Sequence, residues 1–253
     1  MRAFFIGLQF LTRISVVHQE NWTMEDFGRS VKFFPLVGAV LGGIYALAAA
    51  LLVIWLPQMG CQVPHHLAMA VLLLLPVCLT GGLHTDGFMD TMDGILSGRS
   101  RERMLEIMKD SRTGSMGVTA FVLLLLLEWA ILLDMDAQVL VPALFVMPIL
   151  GRVAMALAIT SYPYARKEGM GKAFAAYAGP RTRSIAMVLA LVCLPAGGWL
   201  SIAACMVVEL FVMLFAHYVV RCLGGLTGDV YGAVTVLSEV LVLLVFLLGS
   251  PWV

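Results

Sequence analysis

Charge is what this sequence has least of. Asp, Glu, Lys and Arg make up 13% of its 253 residues and hydrophobic residues 61%, where soluble domains carry about 25% charged and about 45–50% apolar residues. A water-soluble fold of this length has nowhere to hide so much apolar surface, so that class is excluded. Net charge is zero, and no basic excess points to nucleic acid. Cysteine is sparse as well: five, an odd number, widely spaced and without a CxxC pair. Neither a disulfide framework nor a thiolate metal site is indicated, and the five read as small buried hydrophobes. The opening MRAFFIGLQFLTRI also lacks the marks of a cleaved signal: its apolar run is short, Arg13 interrupts it, and no small-residue site follows. It reads as an amphipathic helix lying in the membrane interface.

Long apolar runs are what the chain has instead. Seven are near the roughly 17–25 residues that a spanning helix needs: 35–57, 66–82, 115–133, 137–158, 184–200, 202–220 and 233–250. The fifth and sixth are separated only by Gly197, Gly198 and Ser201, a turn signal that fits a hairpin. The expected fold is therefore all-α: a polytopic membrane bundle of about seven transmembrane helices plus the N-terminal interfacial helix, forming one membrane-embedded domain over 1–253. Orientation follows from the 16 Lys and Arg. Four precede the first run, five follow the second (Arg99, Arg101, Arg103, Lys109, Arg112), six lie at or after the end of the fourth (Arg152, Arg166, Lys167, Lys172, Arg181, Arg183), and Arg221 ends the sixth. The alternate loops around 58–65, 134–136 and 197–203 hold none. The positive-inside rule then puts the N-terminus and the loops 83–114, 159–183 and 221–232 in the cytoplasm.

The segment that carries chemistry is GGLHTDGFMDTMDGILSGRSRERMLEIMKDSRTG, residues 81–114. Asp86, Asp90 and Asp93 are spaced i, i+4 and i+7, which gathers them within an arc of about 60° on a helix. Three carboxylates so close repel one another unless a cation lies between them. Oxygen donors without matching His or Cys select Mg²⁺ or Mn²⁺ over Zn²⁺. The bland alternative, an acidic first helical turn, accounts for Asp86 but not Asp93. Asp110 follows the amphipathic stretch RERMLEIMKD, which is expected to lie along the interface and turn back, making Asp110 a fourth metal ligand; a surface carboxylate is the other reading. Arg99, Arg103, Lys109 and Arg112 around the acids suit phosphate oxygens or lipid headgroups. His84, about 160° from the acidic face, is either a site base or a local cap. Asp229 and Glu239, at the start of and inside the last run, are candidates to line the same cavity. Glu128 and Glu209 read as helix–helix hydrogen-bonding groups. GGLHTDG at 81–87 is echoed by GGLTGD at 224–229, by duplication or by chance.

The string GGLHTDGFMDTMDG with RERMLEIMKDSRTG, FFPLVGAVLGG at 33–43 and GGLTGDVYGA at 224–233 resembles the cobalamin synthase (adenosylcobinamide-GDP ribazoletransferase) family over most of the chain. The resemblance implies a Mg²⁺-dependent enzyme of the bacterial inner membrane with its site facing the cytoplasm. Its substrates would be adenosylcobinamide-GDP and α-ribazole or its 5′-phosphate, giving adenosylcobalamin or its 5′-phosphate plus GMP. A looser likeness links Asp90, Asp93 and Gly94 to the CDP-alcohol phosphotransferases. There Arg99 is displaced by one position, Asp110 stands for the third acid, and the fourth, that family's base, falls at Gly114, which leaves Asp86 or His84 to take the proton. A lipid-directed phosphotransferase or prenyltransferase, or a cation-coupled transporter, are the other readings of an acidic membrane site. A transporter would place its acids near the bilayer midplane. The partners expected are the bilayer and small molecules; self-association is left open.

Overall fold

The computed structural model describes residues 2–17 and 22–250. In chain order its helices are α1 (Arg2–Leu11), α2 (Met24–Ser30), α3 (Phe34–Ala50), which runs on through a π turn into α4 (Leu56–Gln58), α5 (His65–Thr80), α6 (Leu83–Leu96), α7 (Arg101–Ile107), α8 (Ser115–Asp134), α9 (Ala137–Ser161), α10 (Met170–Tyr177), α11 (Thr182–Cys193), α12 (Gly198–Leu223) and α13 (Gly228–Gly249). Among the described residues the one extended pairing is a parallel bridge between Tyr164 and Leu226. The fold is thus all-α, as expected.

Five runs are long and apolar enough to cross a bilayer: Met24–Gln58, Ser115–Asp134, Ala137–Ser161, Thr182–Leu223 and Gly228–Gly249. A sixth exists only if α5 and α6, which meet at 90°, are counted together. The seven expected spans map onto these runs with two changes. First, 184–200 and 202–220 are the arms of one 42-residue run. That run doubles back: Arg183 and Met213 line one groove beside Tyr162, whereas a straight helix would hold them about 45 Å apart. The reversal falls at Gly198, whose φ of 63° is open to glycine. Second, the span expected at 66–82 stops at Thr80. Gly81 (φ 65°) and Gly82 (φ 74°) form a left-handed corner, and α6 leaves at right angles to α5 and packs against α8 and α13.

The core is built on α9. Helices α3, α11, α12 and α13 all pack on it, and every residue from Val146 to Ile159 is buried. A helix apolar all round needs such a position. It carries one exception. Arg152, expected among the bases at the end of a span, lies nine residues before the end of α9 and is 1% exposed. It pairs with Glu239 of α13. The orientation pattern therefore rests on 15 Lys and Arg, 16 less Arg152. Helix α1 packs against α2 and α3 and buries Ile6, Leu8 and Leu11.

Candidate active site at the crossing of α6 and α13

After the glycine corner, α6 lies across the first turns of α13. Two glycines let the backbones meet: a Cβ on Gly87 would come within 2.8 Å of the Asp229 carbonyl, and one on Gly232 within 2.9 Å of that of His84. The echoed segments 81–87 and 224–229 are therefore spatial neighbours, each opening on a left-handed glycine that ends a helix, Gly81 and Gly224. The contact brings Asp229 to Asp86 and Asp90.

The charge balance at the crossing is negative. Burial first, then Asp86, Asp229 and Asp93, push the Asp90 carboxyl up to about 7, against the pull of Arg166. Asp229 accepts a salt bridge from Arg166 at 2.7 Å and a hydrogen bond from Thr227 at 3.2 Å. Arg166 also donates to the Met108 carbonyl at 3.3 Å, which ties this loop to the end of α7. Asp93 has a local duty: its oxygens accept the Gly114 and Gly117 amides at 2.7 and 2.8 Å, capping α8. That fixes the carboxylate while leaving lone pairs free.

The other expected site residues divide. The stretch after α6 does fold back, since Met108 is 2% exposed and seated against Gly94. Asp110 nonetheless is not brought to the acids of α6. Its carboxylate is clasped by Arg112 at 2.8 and 3.1 Å, and these hydrogen bonds hold its pKa down to about 2. A guanidinium two residues away on an exposed loop reaches it first. Arg103 pairs with Glu106 at 2.8 Å, whereas Arg99 and Lys109 are exposed. Glu239 does not reach the acidic crossing. Held by Arg152, it lines with Glu128, His84 and Thr80 a small inner cavity below the site. His84 is 4% exposed and its Nε2 has no hydrogen-bond partner.

Two larger cavities meet at Asp86. One, of about 350 Å³, lies between α1, α6, α10 and α13; the other, of about 600 Å³, opens beside the α5–α6 corner and includes Arg13. Sequence reasoning passed over Arg166 and Arg13. Each was one base among many, and only the packing of the 162–166 loop and of α1 singles them out.

The donor set suits a hard divalent cation. The four carboxylates around one arginine leave an excess of negative charge, which adds to burial in raising the Asp90 pKa. Among the described residues, however, no three acidic, His or Cys side chains already converge as a ready cage.

Fold and site together define a polytopic helical membrane protein with a polyacidic site at one end of its bundle. The chain belongs to the cobalamin-5-phosphate synthase family, whose model matches residues 3–247. It is 43% identical to the adenosylcobinamide-GDP ribazoletransferase of Desulfitobacterium hafniense, over 99% of this chain and 96% of that protein. The proteins of the same name from Desulforamulus reducens and Clostridium acetobutylicum are 41% and 36% identical, over 97% and 94% of this chain and 96% and 92% of theirs. No solved structure matches the chain.

Proposed function

We propose that this chain joins adenosylcobinamide-GDP to α-ribazole or its 5′-phosphate with Mg²⁺ bound at the acidic crossing, on the cytoplasmic side of a bacterial inner membrane. The relatives' activity supports the reaction, and the shared negative field of Asp86, Asp90, Asp93 and Asp229 supports the metal. Asp90 and Asp229 would hold the ion with Asp93 beside them, and the ion would supply charge neutralisation on the diphosphate. The ribazole hydroxyl attacks the phosphorus attached to cobinamide. A new O–P bond forms, the bridging P–O bond breaks, and GMP leaves with its electron pair. Asp86 accepts the hydroxyl proton, and the unpaired bases Arg99 and Lys109 steady the leaving nucleotide. Incubating purified protein with both substrates and Mg²⁺ tests the reading: cobalamin or its phosphate and GMP should appear in equal amounts, and absence of GMP would reject it.

A pH dependence follows from Asp90. Below about 7 its carboxyl holds a proton that a cation has to displace. Mg²⁺ affinity should therefore fall roughly tenfold per unit as pH drops from 7 to 5.5 and level off above 7.5. Mn²⁺ titration followed by electron paramagnetic resonance reads this directly, and a flat profile would remove Asp90 from the ligand set.

The orientation is tested by single cysteines. Those at the exposed Ser100 and Lys172 should be labelled only from the cytoplasm, and those at Gln62 and Asp136 only from outside. Labelling of Ser100 in intact cells would move the site across the membrane.

A further inference from the structure

The two cavities that share Asp86 differ in chemistry. The 350 Å³ cavity has Phe10, Phe174, Met155 and Met170 for walls, and no Lys or Arg lines it. Its Phe10 and Phe174 rings meet edge to face at 5.1 Å. Asp86 and Asp229 lie along one edge. Two further polar atoms belong to buried residues of its lining and have no hydrogen-bond partner: His84 Nε2, on a side chain 4% exposed, and Tyr231 Oη, on one 3% exposed. Both atoms are shielded from the cavity by their own packing, and His84 also lines the inner cavity beside Arg152, so the surfaces an occupant meets are the apolar walls and the Asp86 edge.

Each feature narrows the occupant. No lysine or arginine lines the cavity, so within its walls nothing holds a phosphate; the ion proposed at Asp90 and Asp229 serves the donor's diphosphate at the edge, and a 5′-phosphate on the acceptor stays outside the apolar walls. A corrin macrocycle is too large for a volume near the lower end of the roughly 300–1,000 Å³ of small-molecule sites. An acyl chain would leave the Asp86 carboxylate at the cavity edge unmatched. A flat aromatic that carries a hydroxyl meets the apolar walls with its ring and Asp86 with its hydroxyl. The 600 Å³ cavity is more open and more polar: beside Phe10, Leu83, Met89 and Phe121 it contains Gln9, Thr12, Arg13, Thr80 and Thr85.

We propose that the cavity between α1, α6, α10 and α13 is the acceptor site, seating the aromatic base of the ribazole nucleoside against Phe10, Phe174 and Met155 with a ribose hydroxyl toward Asp86. The donor's diphosphate then approaches from the side of Arg13, and Asp86 stands at the divide between the two substrates. This rests on the transferase reading above and adds to it which surface holds which substrate.

Steady-state kinetics with each substrate varied in turn tests the assignment. Met155→Phe fills the cavity, and Met170→Trp narrows the mouth at a residue 44% exposed, where folding is least disturbed. Met155→Phe and Met170→Trp should raise the α-ribazole KM about tenfold or more, with the adenosylcobinamide-GDP KM within twofold of wild type. A rise in the donor KM instead, or no change in either, would overturn the proposal. So would an unchanged α-ribazole KM in a Met155→Phe protein that has lost a co-purifying acyl chain, because that result assigns the cavity to lipid. If wild-type protein transfers nothing, the transferase reading fails. Equilibrium binding of α-ribazole without donor or metal then decides the cavity separately: wild-type binding weakened by Met170→Trp supports it, and absence of wild-type binding rejects it.

Discussion

Asp90→Asn protein should insert, fold and still bind α-ribazole, yet turn over about a thousandfold more slowly than wild type. Asn keeps the shape of the side chain and removes the charge. Asp90 sits where the fields of Asp86, Asp93 and Asp229 overlap, so losing its charge removes a ligand and much of the attraction for a divalent ion together. Asp110→Asn is the matched comparison, since that carboxylate is exposed and committed to Arg112; its activity should stay within about threefold of wild type. Rates are to be measured at saturating Mg²⁺ with size-exclusion profiles as the folding control. Near-normal turnover in Asp90→Asn, or a collapse in Asp110→Asn, would reverse the assignment of the two acids.

The second large effect lies below the site. Arg152 and Glu239 form an ion pair whose side chains are 1% and 12% exposed. Removing one partner of a buried pair strands the other and typically costs about 3–5 kcal/mol, whereas replacing both with apolar residues is often neutral. Arg152→Met and Glu239→Leu should each sharply lower the thermal midpoint in detergent, and the double variant should recover most of the loss. Additive losses in the double variant would show that the two side chains contribute separately.

Much of this was legible in the chain. The i, i+4, i+7 spacing placed Asp86, Asp90 and Asp93 on one short helix, and hydropathy placed most of the spans. The glycines around 197–198 marked the reversal between α11 and α12, because a left-handed backbone is a local property of glycine. What stayed hidden depends on contacts between distant segments. Arg152 read as a loop base, since hydropathy cannot show that a charge within an apolar run has a partner 87 residues away. Glu239 looked ready to join the acids because rise per residue gives depth but not direction. Asp110 was placed with them because the amphipathic stretch before it was expected to turn back, and the competing Arg112 two residues on became decisive only once the loop had a shape. The echo of 81–87 in 224–229 could not be weighed until Gly87 and Gly232 were seen to bring the two backbones together.

The Arg152–Glu239 pair also sets a timetable for biogenesis. A ribosome adding about 5–20 residues per second needs roughly 4–17 s to pass from one partner to the other. Throughout that interval α9 resides in the bilayer with a bare arginine, at a cost of about 2.5–3.5 kcal/mol on insertion scales. Its Leu, Ile and Val residues, each favourable by about 0.3–0.6 kcal/mol near a helix centre, offset this. The ion pair closes only when α13 arrives. A nascent chain stopped before Glu239 therefore lacks the pair that the finished bundle holds.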